Sequence, residues 1–263
     1  MGPIVWFMAM AMVAMAPEKD ALVRARELYN QHQYDTAIQA ADEARRIPGA
    51  VDTATLILGR AYLERFRGGH DAADLIQARA ALMRVDPSKL SAQDGVELVI
   101  GLGETLYFDG QFGAAAELFD VALAAPRRIE GSARDGLVDW WADSLDRHAA
   151  TGPSRESVYA RMLRRMEEEA QHDTRSTAAS YWLVVAAHGL GDLDRAWNAA
   201  IAAWVKAPHG QARAVQLRAD LDRYVNQVII PERAKQSPPA EEAARTDILR
   251  AEWEAIKQQW GGY

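Results

Sequence analysis

The chain has 263 residues, 49% apolar and 25% charged, with 30 basic and 37 acidic side chains and a formal net charge of −7. That balance fits a folded, soluble protein of one large or two small domains, and its mild acidity is poorly suited to gripping the phosphate backbone of a nucleic acid. Cysteine is absent, which removes disulfides, thiolate metal sites, iron–sulfur clusters, cysteine nucleophiles and cysteine-linked lipids.

Ile4 to Ala16 is an almost unbroken apolar run. As a helix it would span ~20 Å, short of a ~30 Å hydrocarbon core. Residues 1–16 therefore read as a signal-peptide-like segment, with small-x-small sites at Ala9-Met10-Ala11 and Ala14-Met15-Ala16. This places the protein in the periplasm or outside the cell, touching membrane only through this segment if it is retained. No Lys or Arg precedes the run, and Pro17 follows the second site. Cleavage is thus open, and a cytoplasmic location is the alternative.

From residue 17 onward no window alternates with a period of two. Ala, Leu, Arg, Glu and Asp dominate, a composition that favours helix. Gly and Pro punctuate the chain at Pro48-Gly49, Gly68-Gly69, Pro87, Gly110, Pro126, Gly152-Pro153, Gly191, Pro208, Pro231 and Pro238-Pro239. Helix pairs are expected over Ala21–Pro48, Thr55–Pro87, Val99–Ala122, Val138–Ala170 and Thr177–Pro208. The second carries a longer turn at Arg67-Gly68-Gly69-His70. In the third, Val99, Leu102 and Leu106 share one helix face and Ala115, Phe119 and Ala122 another, with the break at Gly110. Residues 211–230 form a capping helix stepping Leu217, Leu221, Tyr224, Val228. Residues 231–240 form a Pro-rich linker, and 241–263 an amphipathic helix stepping Leu249, Trp253, Ile256, Trp260. This last helix either caps the array or docks on a partner.

The segment Leu102-Gly103, Ala115, Phe119 resembles the tetratricopeptide repeat, whose pattern runs W-x2-L-G-x2-Y, then A-x3-F, then P. Leu183, Ala187, Ala196, Ala200 and Pro208 repeat it, as do Leu58-Gly59 and Tyr62. The marker position falls at Ala37, Leu75, Ala115 and Ala196, gaps of 38, 40 and 81 residues. The last gap is about two periods and leaves room for the divergent unit at 138–170. The resemblance covers residues 17–210. It implies an all-α fold: a right-handed superhelical solenoid of about five helix-turn-helix units with C-terminal capping helices.

The resemblance also implies that the first helix of each unit lines a concave groove for a peptide or protein. Its positions map here to three rows: Leu22, Leu56, Ile100, Asp139, Tyr181; then Arg26, Arg60, Glu104, Asp143, Val185; then Tyr29, Leu63, Tyr107, Asp146, His188. The candidate partner-binding residues are Arg26, Tyr29, Arg60, Glu104, Tyr107, Asp139, Asp143 and Tyr181, in a groove basic and apolar at one end and acidic at the other. Family members that clamp a terminal carboxylate use Lys, Asn and Arg. The clamp positions here hold Leu22, Arg26, Leu56 and Arg60, with no Asn. Trp140 and Trp141 cannot both face inward on one helix, so Trp140 is the surface aromatic candidate.

No catalytic constellation emerges. The six His residues form no metal-ligand pair. No phosphate loop or nucleophile elbow is present, and Gly101 and Gly103 read as packing glycines. Glu167-Glu168-Glu169 reads as a solvated helix face, and the Trp residues of the fifth unit as inter-repeat core. No cofactor or metal is expected. The chain reads as a non-catalytic interaction or scaffold module for a protein or peptide in the bacterial envelope. One alternative is a structural or self-associating subunit of a larger envelope complex. A more distant one is a cell-wall sugar enzyme using Asp139, Asp143 and Asp146.

Overall fold

A computed structural model describes residues 17–125, 129–152, 154–206 and 212–260. The apolar run at residues 1–16, the Pro126, Pro153 and Pro208 breaks and His209 lie outside the described residues. Every regular element among the described residues is helical, and none is long and apolar enough to cross a membrane. The chain divides into two compact units, one up to Thr105 and one from Leu106.

The first unit holds α1 (Pro17–Asn30), α2 (Tyr34–Ala44), α3 (Val51–Gly69), α4 (Ala72–Leu82), a 3-10 turn at Pro87–Lys89 and most of α5 (Ala92–Phe108). Consecutive helices α1 to α4 pack in turn, and α1 also touches α3. Small residues make this possible. Ala25, Ala37, Ala41 and Ala61 are fully buried beside Ile38, Ile57 and Leu58. Leu82 wedges between two glycines: a Cβ on Gly59 would lie 2.7 Å from its Cγ, and one on Gly101 3.1 Å from its Cδ1.

The second helix pair differs from expectation at its turn. The extra residues Arg67, Gly68 and Gly69 extend α3 rather than lengthening the loop. His70 ends the helix with a left-handed backbone (φ 56°). Asp71 then caps α4, its carboxylate accepting from the Ala73 N–H at 2.9 Å.

The second unit holds α6 (Phe112–Ala124), α7 (Gly131–Thr151), α8 (Arg155–His172), α9 (Thr177–Gly189), α10 (Leu193–Lys206), α11 (Ala212–Tyr224), α12 (Ile230–Ala234) and α13 (Glu242–Trp260). Again neighbours pair: α6 with α7, α7 with α8, α8 with α9, α9 with α10. The odd-numbered helices also meet, α7 with α9 and α9 with α11. The markers Ala37, Leu75, Ala115 and Ala196 each sit three residues past the first residue of α2, α4, α6 and α10, which are Tyr34, Ala72, Phe112 and Leu193.

The helix at 211–230 does not stop where a linker is expected. Helical backbone continues through Pro231 to Ala234 by way of a π turn at Val225–Ile229, in which the Ile230 N–H bonds the Val225 carbonyl. A proline lacks the N–H of a regular turn and its ring crowds the carbonyl four residues back, and the widened turn falls immediately before it. Burial rewards the continuation, since Val225, Ile229, Ile230 and Ala234 are all fully covered. Onto this core packs α13. Leu249 and Trp253 are buried, the Trp253 ring lies 6.0 Å from Trp197 and 5.5 Å from Trp204 between centroids, and its indole N–H donates to Asp222 at 2.7 Å.

Candidate functional site

The site lies in the second unit, on α7, α9 and α11, with Tyr107 at the end of α5. Two devices set its geometry. Asp135 of α7 accepts hydrogen bonds from the Ser176 and Thr177 hydroxyls and from the Ala178 N–H at 3.3 Å, pinning the start of α9 to α7. Ser176 itself accepts from the Ala179 N–H at 3.0 Å, satisfying a donor that a helix start leaves open. One turn further on, α9 presents Tyr181 and Trp182. The helical step from Asp139 to Asp143 to Arg147 puts these three on one face of α7. Leu217 and Asp220, three apart, do the same on α11.

These residues enclose a cleft of about 300 Å³ lined by Tyr107, Asp139, Trp140, Asp143, Arg147, Tyr181, Trp182, Leu217 and Asp220. The Trp182 indole N–H donates to Asp139 at 2.8 Å. Asp143 accepts a short hydrogen bond from the Tyr107 hydroxyl and another from Arg147 Nε at 2.8 Å. The Arg147 guanidinium stands 5.3 Å from the Tyr107 ring and 5.4 Å from that of Phe112. Trp140 closes the wall, edge-on to Tyr107 with centroids 4.7 Å apart and beside Phe108 and Phe119. Tyr181 stacks edge-on with Trp182 at 5.1 Å and leans on Tyr224 at 6.5 Å. Behind it the Tyr224 hydroxyl lies 2.7 Å from His188 Nδ1, and His188 Nε2 lies 2.9 Å from Glu232.

Burial, joined by the charges of Asp220, Asp146 and Asp143, holds the Tyr181 hydroxyl well above the usual phenol range. Burial and the bond to Asp143 do the same for Tyr107. Burial also raises the Asp146 carboxyl, with Asp143 adding to the rise and the hydrogen bond from Tyr159 at 2.7 Å opposing it. For Arg147 burial disfavours the charge, but Asp143 outweighs it and the net shift is upward.

Of the residues singled out from the sequence, Tyr107, Asp139, Trp140, Asp143 and Tyr181 come together here. The others lie in the first unit, each engaged by a side chain of that unit. Arg26 pairs with Asp94 at 2.7 Å. Arg60 pairs with Glu104 at 3.1 Å, and its Nη2 donates to the Tyr29 hydroxyl at 3.4 Å. Glu104 is only 3% exposed, so it faces an interior and not a groove. Leu56 and Leu63, mapped to the groove by the resemblance, are fully buried core. Trp140 is half-buried rather than a surface aromatic, because the Tyr107 and Phe108 rings cover one side, while Trp141 is 1% exposed. The acidic run is not wholly solvated either. Glu169 is buried between Arg134 at 2.7 Å and Arg165 at 3.0 Å, and Glu167 pairs with Arg195.

Arg147, Trp182, Leu217 and Asp220 were not expected in a site. Arg147 follows Asp143 by one helical turn and so shares a face with a residue already singled out, whereas Leu217 and Asp220 lie on α11, outside the repeat pattern. Among the described residues, no group of three or more His, Cys, Asp or Glu is placed to hold a metal ion.

Fold and site together define, over the described residues, an all-helical protein of packed helix pairs that bears an aromatic cleft lined with carboxylates. The chain matches no protein-family model, and comparison with the curated proteins and with the solved structures yields no match.

Proposed function

We propose that the chain is a non-catalytic, tetratricopeptide-like interaction module that holds a segment of a protein or peptide in the cleft formed by α7, α9 and α11. The observation that carries this reading is the convergence of Tyr107, Asp139, Trp140, Asp143 and Tyr181 on one 300 Å³ cleft. Four of them, Tyr107, Asp139, Asp143 and Tyr181, are positions that the repeat resemblance assigns to the ligand face. The packing of α7 on α9 and of α9 on α11, beside the consecutive pairs, supports the repeat-like reading. Three of the carboxylates of α7 have different partners: Asp139 meets Trp182, Asp143 meets Tyr107 and Arg147, and Asp146 meets Tyr159. That arrangement suits recognition better than the paired, differently tuned carboxyls of a glycosidase. The apolar run Ile4–Ala16 supports placing the module in the bacterial envelope.

Selection of a displayed peptide library on the purified full chain tests the reading. A photo-crosslinking residue is placed at Asp220, on the rim of the cleft, or at Ile248, on the exposed side of α13. Enriched peptides should crosslink at position 220 and not at 248. A library that yields no binder, or crosslinks favouring 248, overturns it.

A further inference from the structure

We propose that a second cavity, in the first unit between α2, α3 and α4, binds a phosphate group carried by a small molecule or a lipid. This is independent of the reading of the cleft. The cavity holds about 170 Å³. Arg45 lines it from the end of α2, Tyr62 from α3, Gln77 from α4, and Arg84 from just past the end of α4. Drug-sized pockets run to about 300–1,000 Å³, so this one suits a charged group rather than a whole cofactor.

What the cavity offers is donors. Arg45 bonds Asp42 through Nη1 at 2.9 Å, while its Nε is buried with no hydrogen-bond partner. The Nε–Nη2 edge of a guanidinium is one that takes an oxyanion with two parallel hydrogen bonds. Gln77, Arg84 and the Tyr62 hydroxyl make no hydrogen bond or ion pair among the described residues, and each can donate. Asp42, the one acid among the described residues that line the cavity, is already paired with Arg45. The charge of Arg84 is left over, a net of +1 (two minus one). Both arginines follow helix ends, where positive charge is favourable in itself, but that preference does not require their donors to meet those of Tyr62 and Gln77 at one cavity. A carboxylate has two oxygens in a plane. A phosphate group presents three acceptor oxygens in a tetrahedral array, which donors on three helices can reach together. Ile76 and Met83, each one residue before a donor of this wall, are exposed apolar side chains, so an acyl chain could lie beside the cavity.

Calorimetry on the full-length protein at constant ionic strength compares inorganic phosphate with acetate, and flotation compares vesicles of phosphatidic acid with vesicles of phosphatidylcholine. A phosphate ligand should bind one site per chain, with acetate at least about tenfold weaker. Arg84→Gln should weaken that binding about tenfold. Arg84 is exposed, so this variant should keep the fold. Arg24→Gln, an equal charge change on the exposed side of α1, should bind as the unaltered chain does. Binding of inorganic phosphate without retention on phosphatidic acid vesicles supports the inference with a soluble phosphate ester as the source. Retention on those vesicles that Arg84→Gln abolishes, with none on phosphatidylcholine, supports it with a lipid headgroup as the source. Binding of neither probe, acetate binding as tightly as phosphate, undiminished binding in Arg84→Gln, or equal weakening by Arg24→Gln overturns it. Each of these outcomes leaves the segment-binding reading of the cleft untouched.

Discussion

Arg60 Nη1 stands 3.1 Å from Glu104 Oε2, joining α3 to α5 through a charge pair whose carboxylate is 3% exposed. Burial raises the Glu104 carboxyl and Arg60 opposes that rise. Two charges removed from water in this way are costly apart and near neutral together. Arg60→Met should therefore destabilise the chain by about 3 kcal/mol, since it strands a buried carboxylate. The double change Arg60→Met with Glu104→Leu should recover most of that loss. Urea unfolding of the two variants measures the difference; a double variant no more stable than Arg60→Met would mean the pair is not buried.

A second prediction concerns the wedge of Leu82 between Gly59 and Gly101. A methyl group at Gly59 would sit 2.7 Å from Leu82 Cγ and 3.3 Å from the Ala78 carbonyl oxygen. Gly59→Ala should cost about 1–3 kcal/mol despite the better helix propensity of alanine. Placed in a Leu82→Ala background the same change should cost little or nothing, because the clashing branch is gone. A thermal-melt double-mutant cycle reads the coupling.

How far the sequence reaches can be judged from these residues. Leu58-Gly59 marks a helix pair from sequence alone, because a small residue at a fixed offset is a packing requirement and its period is visible. The helix starts at Tyr34, Ala72, Phe112 and Leu193 follow the same logic, each three residues before a marker. The part that stays hidden is pairing across helices. Nothing in the string tells that Arg60 will find Glu104, or that Glu169 will be enclosed by Arg134 and Arg165 rather than share the solvent with Glu168. A helical period assigns a face but not the charge on the face opposite it. The cleft was legible on α7, where Asp139 and Asp143 stand one turn apart. It was hidden on α11, because Asp220 belongs to a helix outside the repeat pattern. The path through Pro231 was also hidden, since a π turn leaves no mark in composition.

A third prediction follows from Glu169. Burial alone would raise its carboxyl, but hydrogen bonds and charge from Arg134 and Arg165 hold it below the usual glutamate range. A carboxyl whose folded pKa is depressed contributes stability that is present above its unfolded value of about 4.3 and is lost as pH falls through the folded one. Glu169→Gln should thus cost about 2 kcal/mol at pH 7 and progressively less below pH ~4. Parallel unfolding curves with the same deficit at both pH values would contradict this.

A fourth prediction concerns the end of the second unit. Trp253 is fully buried against Trp197 and Trp204, and its indole bonds Asp222, which Lys257 also reaches at 2.8 Å. Trp253→Ala should lower stability by about 3–5 kcal/mol. Removing residues 240–263 should expose the apolar surface of α10 and promote association, seen as a rise in apparent mass by light scattering. A truncated chain that stays monomeric with unchanged stability would show that α13 covers little.

The cleft itself is most directly tested by its own indoles. With tryptophan labelled on the ring nitrogen, each indole N–H gives a separate NMR signal. On titration with a library-selected peptide, the Trp140 and Trp182 signals should shift together and saturate, while those of Trp197 and Trp253, in the core beneath α13, stay in place. Shifts confined to Trp260, or none at all at saturating peptide, would contradict the assignment of partner binding to the face shared by α7, α9 and α11.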